Sequence, residues 1–209
     1  FCLSRGLGDV YKRQPVLLGL LTTVFGFAGV FALFTFIAPL LTQISKFDDG
    51  ALSPILLVFG AGLVLGNLLG GKFADVRLKT ALIGSMAALS LVLAMMVVGL
   101  QNQLAAVALT GLLGAAGFGT VAPLQSWVLS RATGTGESLV SSLNIAAFNL
   151  GNALGAWMGG IVISHGPGLR VLPLAAAAFP LLAILVALTA FAGERRGELS
   201  PKSSRPTAC

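Results

Sequence analysis

The stretch Leu52–Ala74, LSPILLVFGAGLVLGNLLGGKFA, decides what kind of molecule this is. Its only charged residue, Lys72, stands near its end. A bilayer core requires roughly 20 consecutive apolar residues on a helix, and this stretch supplies them. Five more of the same kind occupy about residues 15–44, 79–99, 103–128, 138–163 and 171–192. Lipid leaves backbone groups no outside partner, so such stretches are helices unless they close a β-barrel. Barrel strands alternate apolar and polar residues over about ten positions, and Ile83 to Val98 does not alternate. The expectation is an all-α, polytopic membrane helix bundle of six transmembrane helices.

Composition agrees. The chain is 56% hydrophobic and 10% charged, against about 25% charged for a soluble domain. Its net charge of +6 would suggest nucleic acid in a soluble protein. In a membrane protein Lys and Arg concentrate in cytoplasmic loops. Eleven of the 13 basic residues fall in alternate gaps: Arg5, Lys12 and Arg13; Lys72, Arg77 and Lys79; Arg131; and Arg195, Arg196, Lys202 and Arg205. Lys46 and Arg170 fall in the others. Both termini are therefore expected in the cytoplasm, and the partner is the lipid bilayer, not nucleic acid. Cys2 and Cys209 have no metal-ligand spacing, so neither metal nor cofactor is expected.

The ends read differently from the middle. Residues 1–14 are polar and stop where the apolar pattern begins, with no apolar core that would make them a signal peptide. The string CLSRGLGDVYKRQ resembles translated sequencing-adapter read-through; a cytoplasmic linker is the other reading. The true start of the gene product is expected upstream. Residues 193–209, charged and rich in Pro and Ser, read as a disordered cytoplasmic tail. The transmembrane domain is then 15–192.

Segments three (79–99) and six (171–192) are nearly devoid of polar groups, whereas one, two, four and five carry glycines, hydroxyls and amides. That division predicts that three and six face lipid and that the others face each other or a cavity. Leu65-Gly-Asn-Leu-Leu-Gly70 in segment two recurs as Leu150-Gly-Asn-Ala-Leu-Gly155 in segment five. These are the middle helices of consecutive triplets and run in opposite directions. The pair predicts two inverted three-helix repeats, a construction common in secondary transporters.

The loop after segment two carries Gly71, Asp75, Arg77 and Lys79. It resembles the cytoplasmic-loop motif of the major facilitator superfamily, with Val76 and Leu78 in place of a usual basic residue and glycine. GNLLGGKFADVRLK, LQSWVLSRA and SLNIAAFNLGNALGAWMGG resemble the arabinose-efflux-permease-like, drug:proton-antiporter branch. The likeness covers residues 15–192 and matches the second six-helix half of a twelve-helix fold. It implies a secondary transporter exporting small organic molecules, sugar or drug-like, by alternating access across a bacterial inner membrane. It also implies a missing N-terminal six-helix half, and a cavity lined by the first, second, fourth and fifth helices. Asp75, with Gly71, Arg77 and Lys79, would then form a cytoplasmic latch; positive-inside topology alone is the other reading of the basic pair.

Candidate substrate-binding residues follow from position. Phe27, Phe31 and Phe34 recur at i, i+4, i+7 on segment one, with Thr23 a turn earlier. They line an apolar substrate path or pack the core. Asn144, Phe148 and Asn152 share one face of segment five; the amides bond substrate, or bond a neighbouring helix for about 1 kcal/mol. Gly62, Gly66 and Gly70, and Gly151, Gly155 and Gly159, form four-residue ladders suited to close helix packing. His165 reads as a solvated loop residue.

No Asp, Glu, Lys or Arg lies deep in any segment. If protons drive transport, their titratable group lies outside this stretch. An enzyme is not expected: an intramembrane GxSG serine with a buried histidine is missing, as are the paired NPA motifs of an aquaporin-like channel. The alternative that stands is a self-sufficient six-helix protein, either a half-size transporter working as a dimer or a channel.

Overall fold

The computed structural model describes residues 14–131, 137–166 and 168–195. The readings made for residues 1–13 and 196–209 lie outside the described residues. Gln14 already opens a helix and residues 193–195 complete one, so the helical domain exceeds its expected limits slightly at both ends.

The elements in order are α1 (Gln14–Phe34), a short α2 (Ile37–Pro39), a π-helical turn (Leu40–Ile44), α3 (Asp49–Gly99), α4 (Gln103–Gly119), α5 (Val121–Leu129), α6 (Glu137–His165) and α7 (Leu172–Arg195). No strand occurs among the described residues. Prolines explain two of the breaks. Pro39 has no N–H to give the carbonyl of Thr35, and its ring crowds that carbonyl. The helix yields there: Phe36 adopts φ −111°, ψ 21°, and its N–H bonds Leu33 O at 3.0 Å. Pro123 stands in the same relation to Gly119, where α4 ends.

Helix α3 is two spans in one. Its 51 residues would reach about 76 Å if straight, more than twice a bilayer core. Arg77 breaks it with φ −147°, ψ 77°. Gly70 lies against Gly119 and Gly99 against Leu109. Those two partners are about 15 Å apart along one span, whereas residues 70 and 99 on an unbroken helix would be about 43 Å apart. The chain therefore turns back at Arg77. Five helices are long and apolar enough to cross a membrane, and with α3 counted twice they make six spans. Span one is α1, α2 and the π turn; span two is α3 to residue 76; span three is α3 from residue 78; span four is α4 with α5; span five is α6; span six is α7.

At the end of the bundle opposite Arg77, the loop after span one is tied to the turn between spans three and four. Ser45 Oγ donates to Leu100 O at 2.7 Å, and Gln103 Nε2 donates to Ser45 O and Lys46 O, both at 3.2 Å.

Two large apolar clusters and a small one around Val16, Val128 and Val140 fill the interior. The first large one joins Leu33, Leu40, Leu93, Met96, Leu113 and Leu172; the second joins Leu82, Met86, Leu124, Trp127, Ala183 and Ala187. Both draw heavily on spans three and six, and Ser90 Oγ of span three donates to Ala177 O of span six at 3.0 Å. The expectation that spans three and six simply face lipid is therefore corrected: each buries one face against protein. Hydropathy cannot separate the two surroundings, because a lipid tail is as apolar as leucine. Span one is the most embedded helix. Span five leaves Ile145, Leu150, Trp157 and Ile161 exposed, and span two leaves Leu57, Val64, Leu65 and Leu68 exposed.

Candidate functional site

The two glycine ladders set the backbone geometry. Gly62, Gly66 and Gly70 of span two lie directly on the carbonyls of Gly111, Ala115 and Gly119 of span four; a Cβ at any of them would overlap that backbone. Gly151 and Gly155 of span five lie the same way on Val24 O and Ala28 O of span one, and Gly159 lies on Ala32 O and Phe36. A Cβ at Gly151 would sit 2.7 Å from Val24 O. An inverted repeat exchanges span two for five and span four for one. Gly66 then corresponds to Gly151 and Gly70 to Gly155, while their partners Ala115 and Gly119 correspond to Val24 and Ala28 with the same spacing. The two LGNxLG copies thus make equivalent contacts in equivalent places.

A hydrogen-bonded chain crosses spans one, five and four. Thr23 Oγ1 donates to Asn144 Oδ1 at 2.8 Å, with Gly19 O at 3.2 Å as its other acceptor. Asn144 Nδ2 donates to Gln125 Oε1 at 2.5 Å. Gln125 Nε2 donates to Ser141 Oγ at 2.9 Å. Thr23 and Asn144 are fully buried. Thr23 lies roughly 13 Å along its helix from Gln14, so these groups are inside the bundle, where a polar group without a partner is costly. The chain is neutral throughout. Gln125 and Ser141 belong to it although the sequence reading does not single them out; a buried Asn needs both a donor and an acceptor, and Gln125 is a polar residue of span four, while Ser141 precedes Asn144 by three residues on span five.

An aromatic cluster adjoins this chain. Phe27 meets Phe31, Phe118 and Phe148 at centroid distances of 5.6, 5.7 and 4.9 Å. Phe31 meets Phe34 at 5.9 Å, Phe34 stacks on Phe59 at 4.5 Å, and Phe59 meets Phe118 edge-on at 6.3 Å. Spans one, two, four and five each contribute, and those are the four spans expected to share a cavity. Phe27 and Phe59 are buried; Phe31, Phe34, Phe118 and Phe148 keep part of their rings exposed. Phe59 and Phe118 are absent from the sequence reading because neither has another aromatic within two turns on its own helix. Asn152, two turns beyond Asn144, is half-buried, and its Oδ1 is buried with no hydrogen-bond partner.

The loop residues lie apart from this cluster. Asp75 and Arg77 are exposed, and Gly71 has open space where a Cβ would stand. Lys79 caps the ring of Phe191 at 5.0 Å. Phe191 packs edge-on against Trp127 at 5.4 Å, and Arg131 lies over Trp127 at 4.8 Å. This cation–aromatic stack joins the ends of spans three, six and four. His165 closes the last turn of α6, its Nδ1 2.7 Å from Ser164 Oγ. No group of metal-binding side chains occurs among the described residues.

Six membrane-spanning helices in two inverted triplets define a polytopic membrane protein of the inverted-repeat class. The sequence places it further: the chain belongs to the major facilitator superfamily. It is 40% identical over 177 residues to the inner membrane transport protein YdhP of Escherichia coli (strain K12), covering 85% of this chain and 45% of that protein. It is 37% identical over 155 residues to the uncharacterized MFS-type transporter YfhI of Bacillus subtilis (strain 168), covering 74% and 39%. It is 28% identical over 184 residues to the purine ribonucleoside efflux pump NepI of Salmonella paratyphi C (strain RKS4594), covering 88% and 46%. The chain spans about half the length of the curated relatives it matches. No family model matches it.

Proposed function

We propose that this chain is one six-helix half of a secondary transporter that exports small organic molecules by alternating access. The observation that carries the reading is the convergence of six phenylalanines from four spans beside buried amides. Binding sites for small molecules are largely apolar with a few placed polar groups. Thr23, Phe27, Phe31, Phe34, Asn144, Phe148 and Asn152 form the wall, joined by Phe59 and Phe118. Aromatic faces accept flat organic rings. Asn152 Oδ1 is the acceptor left for substrate, while Asn144 is already satisfied and holds spans one, four and five in register. A ring-bearing solute with hydrogen-bond donors suits this wall, and NepI, named as a purine ribonucleoside pump, supports testing nucleosides first.

Span five and the face of span two that carries Leu57, Val64 and Leu68 turn toward a second six-helix bundle, so that the substrate path runs between halves. The loop with Gly71, Asp75, Arg77 and Lys79 lies on the cytoplasmic side and works as a latch, with the Lys79–Phe191–Trp127–Arg131 stack beneath it. Both termini are cytoplasmic, in a bacterial inner membrane. A coupling proton, if used, binds in the other half.

The test is export by the full-length gene product carrying Asn152→Leu. The expected result is lost export of labelled nucleosides, sugars or dyes at unchanged protein abundance. Unchanged export of every solute the unaltered protein moves would remove Asn152 from the path.

A further inference from the structure

An apolar crevice of about 580 Å³ opens between spans two, three and four, on the side of the chain reversal at Arg77. Gly66, Leu69, Phe73, Gly84, Ala88 and Pro123 form its walls, and Arg77 stands among them as the charged group. Small residues keep it open: a Cβ added at Gly84 would meet nothing within 4 Å. Leu69, Phe73 and Val76 along its edge are exposed, on a face of span two roughly a third of a turn from the one that carries Leu57, Val64 and Leu68. The inverted repeat supplies a counterpart. A crevice of about 300 Å³ lies between spans five, six and one, toward the opposite end, walled by Ala32, Gly159, Ala176 and Phe179. No Lys or Arg lines that one.

We propose that the larger crevice takes one acyl chain of an anionic phospholipid, with the headgroup phosphate at Arg77. Three arguments converge. Apolar walls hold water poorly, and an unfilled void forfeits dispersion contacts on every wall atom. The opening faces the hydrocarbon, so a lipid tail is the solvent molecule at hand. The mouth is cationic: a guanidinium matches a phosphate with paired hydrogen bonds. Lys72 is exposed near the same end of span two. The counterpart crevice shares the packing but not the charge, so it serves as an internal control for a headgroup effect.

The experiment is native mass spectrometry of the full chain in detergent, with phosphatidylglycerol and phosphatidylcholine added in turn. One retained phosphatidylglycerol per chain is expected, favoured over phosphatidylcholine by about fivefold for each basic residue engaged. Arg77→Gln should keep a bound lipid while lowering that preference. Gly84→Leu fills the crevice and should abolish retention, with thermal unfolding no lower than that of the unaltered chain. If Gly84→Leu does not fold, Ala88→Ile fills the same space from the next turn and is read the same way. Undiminished lipid retention in the filled variant overturns the proposal. So do equal retention of both lipids by the unaltered chain and a lipid-free dimer that Gly84→Leu dissociates.

Discussion

The contact of span two with span four and the contact of span five with span one have the same backbone design and different chemistry. In each, an LGNxLG segment lays its glycines on the carbonyls of its partner. In the second, Asn144 one helical face away ties three spans together through Thr23, Gln125 and Ser141. The first has no such chain among the described hydrogen bonds. The motif asparagine differs as well: Asn67 is exposed, whereas Asn152 buries an unpaired oxygen. The repeat therefore carries the packing and one copy carries the polar chemistry. A duplicated scaffold keeps what every helix needs in lipid, which is close approach, and is free to place amides on one side only.

The all-or-none way to break this comparison is topological. Inverted triplets run spans two and five in opposite directions, so reporter fusions after Asp75 and after His165 should mark opposite sides of the membrane. Fusions reporting the same side would end the inverted pairing. Next in size are the ladders. Gly66→Ala and Gly155→Ala each place a methyl group on a backbone carbonyl, and overpacking of this kind costs about 1–3 kcal/mol. Both should lower the thermal midpoint of the solubilised chain, and by similar amounts if the contacts are equivalent. Gly60→Ala, with open space around it, should not. A large effect at one ladder and none at the other would separate the two contacts.

The smallest effect sharpens the chemical difference. Asn144→Leu removes two hydrogen bonds between spans, each worth about 0.6 kcal/mol on average in a membrane protein. It also strands Gln125 Oε1. Its unfolding midpoint should fall measurably, whereas Asn67→Leu, at an exposed position, should leave it within error. Equal losses would mean that the polar chain is not particular to the second contact.

Much of this is legible in the sequence. Glycines every four residues mark a helix face that touches another backbone, and that face is the one buried in both ladders. Asn144 was legible as an amide needing partners, though which partners was not: Thr23 is 121 positions away, and spacing along one helix says nothing about such a distance. Phe59 and Phe118 escaped for the same reason, neither having a second aromatic within two helical turns of it on its own span. Spans three and six were misjudged in part. Bland composition is equally suited to a lipid tail and to Met86 against Ala183, so their buried faces left no trace.

By itself the sequence determined the solvent and the number of spans, because apolar length acts locally on each helix. It also marked the repeat, since glycine has a steric meaning wherever it stands. The tertiary structure alone decided which spans meet, where the hydrogen-bonded chain runs, how six rings from four spans gather, and where the crevice at Arg77 opens. The physical reason is the same in each case. In lipid, contact with protein and contact with solvent look alike residue by residue, so only the arrangement of the helices distinguishes them.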